Sequence, residues 1–329
     1  MFQFHNSQFI IDIFLTYPLQ IAKLATCFSM NKILKAHLAL LIANLIYSGS
    51  FTLAKEVTPL FIKPFGFVLI RVTCAAIAYW LMDFFFIRER TKKKDIPVLL
   101  VLAVFGVATN QMMFIKGLSL TTPINAAILM VTSPMFVLAL SVFILKEKIS
   151  ALNVTGIFLG FAGAASLLIV KSGQSFGYNK GDIFILINAL SWGVYLVLVK
   201  PFMMRYNTIT VLRWVFLSGF FIVLPFGYNE FLEIDFHAIT PHIWFCIVFV
   251  VLGATIIAYV LNIYALKELS SSVVSAYIYL QPLLAAIIAL LADKDHLSWV
   301  KIISALLIFA GVYLAGKKKT EKVVAGHQE

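Results

Sequence analysis

Long apolar runs separated by short charged connections fill the sequence from residue 34 to residue 316. A membrane-spanning helix needs about 20 mostly apolar residues, whereas a membrane barrel would show alternating segments of about 10 residues. The runs are continuous and rich in Leu, Ile, Phe and Ala, so they favour helices. The pattern predicts ten transmembrane helices, at 34–54, 65–86, 97–116, 122–145, 150–170, 182–202, 209–228, 241–264, 272–292 and 298–316.

The composition indicates an all-α integral membrane protein. Hydrophobic residues make up 61% of the 329 residues and charged residues 12%, whereas soluble domains carry about 25% charged residues. A soluble enzyme is therefore excluded, because so few charges could not cover its surface. Three cysteines are too few for a disulfide scaffold. The net charge of +11 does not predict a nucleic-acid partner, because the basic residues lie in the short connections.

The two halves of the chain resemble one another in sequence. Residues 117–171 align with 265–319 at an offset of 148. The matched positions include Pro134 with Pro282, Gly163 with Gly311, Lys55 with Lys200 and Arg71 with Arg213, the last two at offsets of 145 and 142. Each half predicts five spans, and an odd number inserts the second half in the opposite sense. The chain is therefore predicted to be two inverted five-helix repeats, 30–171 and 180–319, as in many secondary transporters.

The basic residues predict the orientation. The connections on the side of both termini hold 17 Lys and Arg, and the opposite connections hold 7. Positively charged connections remain in the cytoplasm, so we expect a multi-pass protein of the cell (inner) membrane with both termini cytoplasmic, including a tail at 320–329. Residues 1–29 form an N-terminal extension that matches a cleaved signal peptide poorly. Either translation starts at Met30 and the extension is not made, or the extension is an interfacial segment before the first span.

Several segments resemble the EamA family of the drug/metabolite transporter superfamily. They are Leu41-Ile-Ala-Asn-Leu-Ile-Tyr-Ser-Gly-Ser-Phe-Thr-Leu-Ala-Lys55, Leu186-Ile-Asn-Ala-Leu-Ser-Trp-Gly-Val-Tyr195, Ser133-Pro134, Gln281-Pro282 and the glycine-bearing fifth span from Gly156 to Gly163. The resemblance implies a permease that usually exports small metabolites, without fixing one substrate. Small multidrug pumps, a related branch, use a Glu in the first span, but residues 36–54 contain no carboxylate.

Polar and aromatic side chains recur at helical spacing inside the predicted spans. An unpaired amide facing lipid costs several kcal/mol, so these side chains are expected to face partner helices or a wet cavity. Hydrogen bonds between helices are the simpler explanation, but five such faces favour a cavity. The predicted substrate-binding residues are Asn44, Tyr47, Gln111, Asn188, Trp192, Tyr195, Tyr259, Asn262, Tyr277 and Gln281. No cofactor and no metal-ligand cluster are expected.

Two further pairs of residues are candidates for special roles. Pro134 and Pro282, at matched positions within spans, are predicted hinges, because proline removes a backbone hydrogen bond; a static kink is the alternative. Arg71 and Arg213 lie several residues inside their spans, and charges there are costly. They are predicted to sit at the mouths of the transport path and meet anionic groups, unless they only reach the lipid headgroups.

These features together predict a secondary transporter that exports small organic metabolites by alternating access. Amino acids or related neutral or zwitterionic compounds are the favoured cargo, since amides and aromatic rings would line the path. Efflux or uptake of drugs or other solutes is the alternative. A channel or an intramembrane enzyme is disfavoured, because no filter segment or catalytic constellation is visible. The expected partners are the substrate and the lipid bilayer, with a homodimer left open by the small residues Gly156 and Gly160.

Overall fold

A computed structural model describes residues 31–146, 150–172, 180–291 and 299–316. The N-terminal extension 1–29 and the tail 320–329 lie outside this part of the chain. The described residues contain helices and no strands, which confirms the all-α prediction for them. The helices are α1 Lys32–Val57, α2 Pro64–Ile87, α3 Lys93–Leu120, α4 Pro123–Met130, α5 Ser133–Leu145, α6 Ala151–Ser172, α7 Lys180–Met203, α8 Thr208–Leu232, α9 Pro241–Ala265, α10 Ser271–Ala276, α11 Leu280–Leu291 and α12 Trp299–Gly316.

Six of these helices, namely α1, α2, α3, α7, α8 and α9, are long and apolar enough to cross a membrane. Further apolar helices are shorter, among them α5 with 13 residues. Large apolar side chains also cover the outer surface: Phe86 is 83% exposed and Phe143 is 81% exposed. Such a surface is unfavourable in water and suits lipid. The chain is a multi-pass membrane protein, and the count of ten spans stays a prediction.

Local sequence explains where several helices begin. Pro64 and Pro241 stand in the first turns of α2 and α9, where the missing amide proton costs no hydrogen bond. The Asn207 side chain accepts a hydrogen bond from the Ile209 amide at the start of α8, 3.1 Å away. The Ser270 side chain caps α10 in the same way.

The fourth and ninth predicted spans are interrupted. A turn at 131–132 separates α4 from α5, and a 3₁₀ turn, Tyr277–Tyr279, separates α10 from α11. The expectation that both prolines lie within continuous helices is therefore wrong. Pro134 stands in the first turn of α5, and Pro282 is the third residue of α11. The first four amides of a helix have no intrahelical acceptor, so each proline instead removes a donor that could join the two pieces.

Equivalent helices of the two halves pack against each other in opposite directions. At one end of the α2–α8 pair, the Glu230 carboxylate accepts the backbone N–H groups of Phe65 and Gly66 at 2.6 and 2.9 Å. At the other end, the Glu89 carboxylate accepts the N–H of Asn207 at 2.8 Å. Each acid thus caps the first turn of the other half's helix, where a negative charge is favourable. These two contacts are called the reciprocal caps below.

The α6–α12 pair is antiparallel too and is packed through glycines. Asn153, near the start of α6, donates to the Ala315 carbonyl near the end of α12 at 2.8 Å. A Cβ on Gly311 would lie 2.6 Å from the Gly160 Cα. The backbones touch because both positions lack side chains. The small residues Gly156 and Gly160 therefore serve packing within the chain.

Two lysines hold equivalent helix ends in the two halves. The Lys55 ammonium, near the end of α1, donates to three carbonyl oxygens within 118–121 at 2.8 to 3.0 Å. The Lys200 ammonium, on α7, donates to the carbonyl oxygens of Leu266 and Leu269 after α9. A cation at a helix C-terminus pairs with carbonyls that lack intrahelical donors. Lys55 and Lys200, which match in sequence, therefore make equivalent hydrogen bonds in the two halves.

The third and eighth spans contain π-helical stretches at overlapping positions of the two halves, Val104–Thr109 in α3 and Phe249–Ile257 in α9. A π-helical turn shifts the hydrogen-bond register and leaves carbonyl groups free for other donors. The Tyr259 hydroxyl donates to the Gly106 carbonyl at 2.9 Å, and the Tyr79 hydroxyl donates to the Ile256 carbonyl at 2.9 Å. These bonds tie α9 to α3 and α2 beside the interior of the fold.

Candidate functional site

A cavity of about 80 Å³ lies between the two halves of the chain. Its walls come from α1, α2, α3, α7 and α9, and from residues next to both interrupted segments. A buried water needs roughly 10–15 Å³, so the cavity has room for several waters and is well below the roughly 300–1,000 Å³ of ligand sites. Its lining residues are Asn44, Tyr47, Ser50, Phe51, Arg71, Asn110, Gln111, Phe114, Met130, Asn188, Trp192, Ala254, Tyr259, Asn262, Ile278 and Gln281.

Eight of the ten residues that the sequence predicted as substrate-binding line this cavity. They are Asn44, Tyr47, Gln111, Asn188, Trp192, Tyr259, Asn262 and Gln281. Tyr195 and Tyr277 do not. Tyr195 packs against α3 so closely that a Cβ on Gly106 would lie 2.4 Å from its ring. Tyr277 bonds to His37 at 2.7 Å and lines a separate cavity of about 510 Å³ between α1, α11 and α12.

Arg71 is part of the cavity wall rather than a charge at a mouth. Its guanidinium is buried, and its Nε donates to the Thr255 hydroxyl at 2.9 Å. That hydroxyl belongs to the π-helical stretch of α9 and itself donates to the Val250 carbonyl, five residues back. Arg71 Nη1 is buried without a hydrogen-bond partner. Among the residues that the structure describes, no Asp or Glu lies within 4.0 Å of this guanidinium.

Arg213, the counterpart of Arg71 in the second half, is paired with a carboxylate. It forms a buried ion pair with Asp83, and its Nη2 donates to the Glu89 carbonyl at 2.8 Å. The Trp80 and Trp214 rings lie 5.0 and 5.8 Å from its guanidinium carbon, which is cation–π distance. Arg213 therefore lies in a contact between α8 and the end of α2, on the wall of a pocket of about 510 Å³ that Asp83 and Glu89 also line. This contact, rather than a ligand, satisfies its charge.

Among the described residues Arg213 has a carboxylate partner and Arg71 has none, and the sequence differs at the equivalent position. The offset of 142 that matches Arg71 with Arg213 places Pro225 at the position of Asp83. The second half therefore has no carboxylate at the place where the first half supplies one. This difference between the two halves is visible in the sequence and indicates Arg71 as a candidate for ligand binding, a residue that the predicted substrate-binding set lacks.

Amide side chains on the cavity wall are held by neighbouring helices. Gln281 donates to the Asn44 side-chain oxygen at 2.9 Å, which joins α11 to α1. The Asn188 amide nitrogen donates to the Asn110 carbonyl at 2.7 Å, while its side-chain oxygen is buried with no partner. Buried polar atoms without partners are uncommon in folded proteins. Asn188 thus offers an acceptor, and Arg71 offers a donor, inside the same cavity.

Aromatic rings form the rest of the wall and fix one another. Trp192 and Tyr259 meet edge to face with ring centres 5.4 Å apart. Phe51 and Phe114 do so at 5.3 Å. Such pairs are stable arrangements of rings. The cavity wall therefore offers a cationic donor, hydrogen-bonding groups and apolar ring surface.

Three side chains that are potential metal ligands meet at the far end of α1, a cluster that the sequence analysis did not predict. Glu56 meets His242 and Cys246 of α9 there, and one potential ligand atom from each lies within 4.8 Å of the others. The i, i+4 spacing of His242 and Cys246 was visible in the sequence, whereas their contact with Glu56 depends on how α1 packs.

Comparison with known proteins matches both halves of the chain to one family. The family model of the EamA-like transporter family matches residues 34–169 and again 179–316. An uncharacterized transporter of Archaeoglobus fulgidus is 28% identical over 87% of this chain and 98% of its own length. A WAT1-related protein of Arabidopsis thaliana is 23% identical over 90% of this chain and 89% of its own length.

Two further similarities concern an exporter and a crystal structure. A protein of Streptantibioticus cattleyicolor named as a probable terminal-alkyne amino-acid exporter is 23% identical over 77% of this chain and 84% of its own length. A crystal structure superposes with a TM-score of 0.67, at 22% identity, over 85% of this chain and 96% of the other. That likeness concerns the fold. Since the family model matches twice and spans most of the sequence, the chain belongs to the EamA-like transporter family.

Proposed function

We propose that this protein is a secondary active transporter that exports small zwitterionic metabolites, with amino acids as the favoured class. Ten spans in two inverted repeats, 30–171 and 180–319, carry the substrate by alternating access. The protein lies in the inner membrane with both termini in the cytoplasm. The exporter of Streptantibioticus cattleyicolor supports the amino-acid class and the direction.

The buried guanidinium of Arg71 carries the proposal. Removing an ion from water costs several kcal/mol unless a partner compensates. The described residues supply a hydroxyl to Arg71 but no carboxylate. A substrate carboxylate would supply the negative partner of Arg71, because a planar guanidinium forms paired hydrogen bonds with a carboxylate.

The remaining wall fits the other parts of an amino acid. The Asn188 side-chain oxygen is an acceptor for a substrate ammonium group. The rings of Trp192 and Tyr259 provide a face for cation–π contact or for an apolar side chain. Among the described residues, the cavity lining includes Arg71 and no Asp or Glu, which disfavours a lone organic cation as cargo.

The small cavity supports alternating access. At about 80 Å³ it is too small for an amino acid with a large side chain, so the halves must separate before a substrate enters. The interruptions before Pro134 and Pro282 lie next to the cavity, where Met130, Ile278 and Gln281 reach its wall. These interruptions are suited to act as hinges, since the helix pieces on either side are not joined by regular α-helical hydrogen bonds.

Transport assays with matched substrates test the proposal. Proteoliposomes that contain the full-length protein are loaded with a radiolabelled amino acid or with the corresponding amide, which lacks the carboxylate. We expect saturable efflux with at least tenfold preference for the acid. Arg71→Gln should lose that preference, because removing one partner of a buried charge pair costs about 2–5 kcal/mol, or roughly 30-fold or more in affinity. Arg71→Lys should retain part of it.

Lys116→Gln is the control, since it removes one positive charge from α3 without altering the cavity wall. Equal transport of acid and amide by the unmodified protein would exclude Arg71 as a carboxylate anchor. Transport of quaternary ammonium drugs without any amino acid would replace the substrate class by the multidrug alternative. Conductance that does not saturate would indicate a channel.

A further inference from the structure

Three potential metal ligands meet where α1 ends beside the start of α9. The His242 Nε2 lies 2.6 Å from a Glu56 carboxylate oxygen. The Cys246 Sγ lies 3.7 Å from His242 Nε2 and 3.9 Å from the same carboxylate oxygen. His242 and Cys246 are four residues apart and therefore share one face of α9. The cluster joins one EamA-like unit to the other.

We propose that Glu56, His242 and Cys246 form a binding site for a divalent transition metal, with zinc as the best fit. Zinc is bound at about 2.3 Å by thiolate sulfur, about 2.0–2.1 Å by imidazole nitrogen and about 2.0–2.2 Å by carboxylate oxygen. Tetrahedral geometry then separates the ligand atoms by roughly 3.2–3.6 Å. The three observed separations, 2.6, 3.7 and 3.9 Å, bracket this range, so small side-chain rotations would suffice.

The donor set narrows the choice of metal. A thiolate and an imidazole disfavour Mg²⁺ and Ca²⁺, which prefer oxygen ligands. Three protein ligands leave the fourth tetrahedral position to water, as in open zinc sites. On binding, the Cys246 thiol releases its proton to solvent and forms the sulfur–metal bond, while His242 binds as the neutral imidazole.

Burial gives the site an inner wall and an access route. Cys246 is fully buried, whereas the side chains of Glu56 and His242 are 40% and 63% exposed. A metal ion can therefore arrive through the two outer ligands and be held from within by the thiolate. The 2.6 Å contact between Glu56 and His242 brings both outer side chains to one point.

Cobalt spectroscopy on the full-length, tag-free protein in detergent tests the proposal. Cys27→Ser and Cys74→Ser leave Cys246 as the single thiol. We expect one Co²⁺ per chain, visible bands of a tetrahedral ion, and a near-ultraviolet sulfur-to-cobalt band that Zn²⁺ displaces. Cys246→Ser should abolish the near-ultraviolet band. Glu56→Gln and His242→Gln should each weaken Co²⁺ binding at least tenfold.

The matched control is His237→Gln, which removes an exposed histidine from the connection before α9 that does not belong to the cluster. Size-exclusion profiles show that each variant is folded before titration. Failure of the single-thiol protein to produce the sulfur-to-cobalt band would overturn the proposal. Unchanged affinity in both Glu56→Gln and His242→Gln would also overturn it, since the metal would then bind elsewhere. Neither result would bear on amino-acid transport, which depends on the central cavity.

Discussion

The ion pair between Asp83 and Arg213 should dominate the stability of the contact between α2 and α8. The Asp83 side chain is 4% exposed and the Arg213 side chain 10%. Replacing one partner leaves the other charge buried, which costs about 3–5 kcal/mol. We therefore expect Asp83→Asn to lower the free energy of unfolding by about 3–5 kcal/mol.

Arg213→Met should cost more, because Arg213 also donates to the Glu89 carbonyl. A hydrogen bond to a charged group contributes about 1.5–3 kcal/mol. The double variant has no buried charge at this contact. It should be less destabilised than the Arg213→Met protein, because no unpaired charge remains buried, although it still lacks the hydrogen bond to the Glu89 carbonyl. The two substitutions should therefore be strongly non-additive.

Unfolding by sodium dodecyl sulfate in mixed micelles measures these differences. Trp80 and Trp214 lie beside Arg213, so their fluorescence reports on this contact. The four proteins form a double-mutant cycle, whose coupling energy isolates the pair. Additive effects of the two substitutions would refute the reasoning, because they would mean that water reaches the pair and screens it.

Four further predictions can be checked with simple readouts. Gly311→Leu should destabilise the α6–α12 pair by about 1–3 kcal/mol through overpacking, as measured by thermal unfolding, whereas Gly49→Ala should have little effect because its new Cβ meets its nearest neighbour at 3.5 Å. Lys55→Met should lower the thermal unfolding temperature by leaving carbonyl groups at the end of α3 unpaired, and stability equal to the unmodified protein would contradict this. Pro134→Ala should slow efflux without reducing expression, since it supplies a donor that can join α4 to α5; unchanged efflux rates would make the proline a static feature. A cysteine introduced in 229–240 should react with an impermeant reagent outside the cell, and one at residue 320 should not; the reverse pattern would exclude cytoplasmic termini.

The apolar runs predicted the long helices because burial in lipid imposes a simple rule on composition. The window 182–202, for example, lies within α7 Lys180–Met203. The interruptions at 131–132 and Tyr277–Tyr279 were not predicted, since they lie inside apolar runs and depend on packing. The matched prolines nevertheless indicate where the second helix piece begins, since each lies in the first turn after an interruption.

The candidate site was predictable to the extent that helical spacing decides which side chains share a face. Tyr195 follows Asn188 by two helical turns, yet α3 approaches at Gly106 and covers its ring. The place of Arg71 in the cavity and the contact between Glu56 and His242 depend on which helices become neighbours. The spacing of residues within one helix contains no such information.

The reciprocal caps make the α2–α8 contact self-complementary. At the offset of 142, the Asn207 amide that Glu89 caps corresponds to the Phe65 amide that Glu230 caps. A contact in which both partners offer the same patch is the kind that relates two identical subunits by a two-fold axis. The two acids differ from this offset by one position, since Glu230 aligns with Arg88 and Glu89 with Phe231. The α2–α8 contact thus has the form of an antiparallel contact between two like helices, made within a single chain.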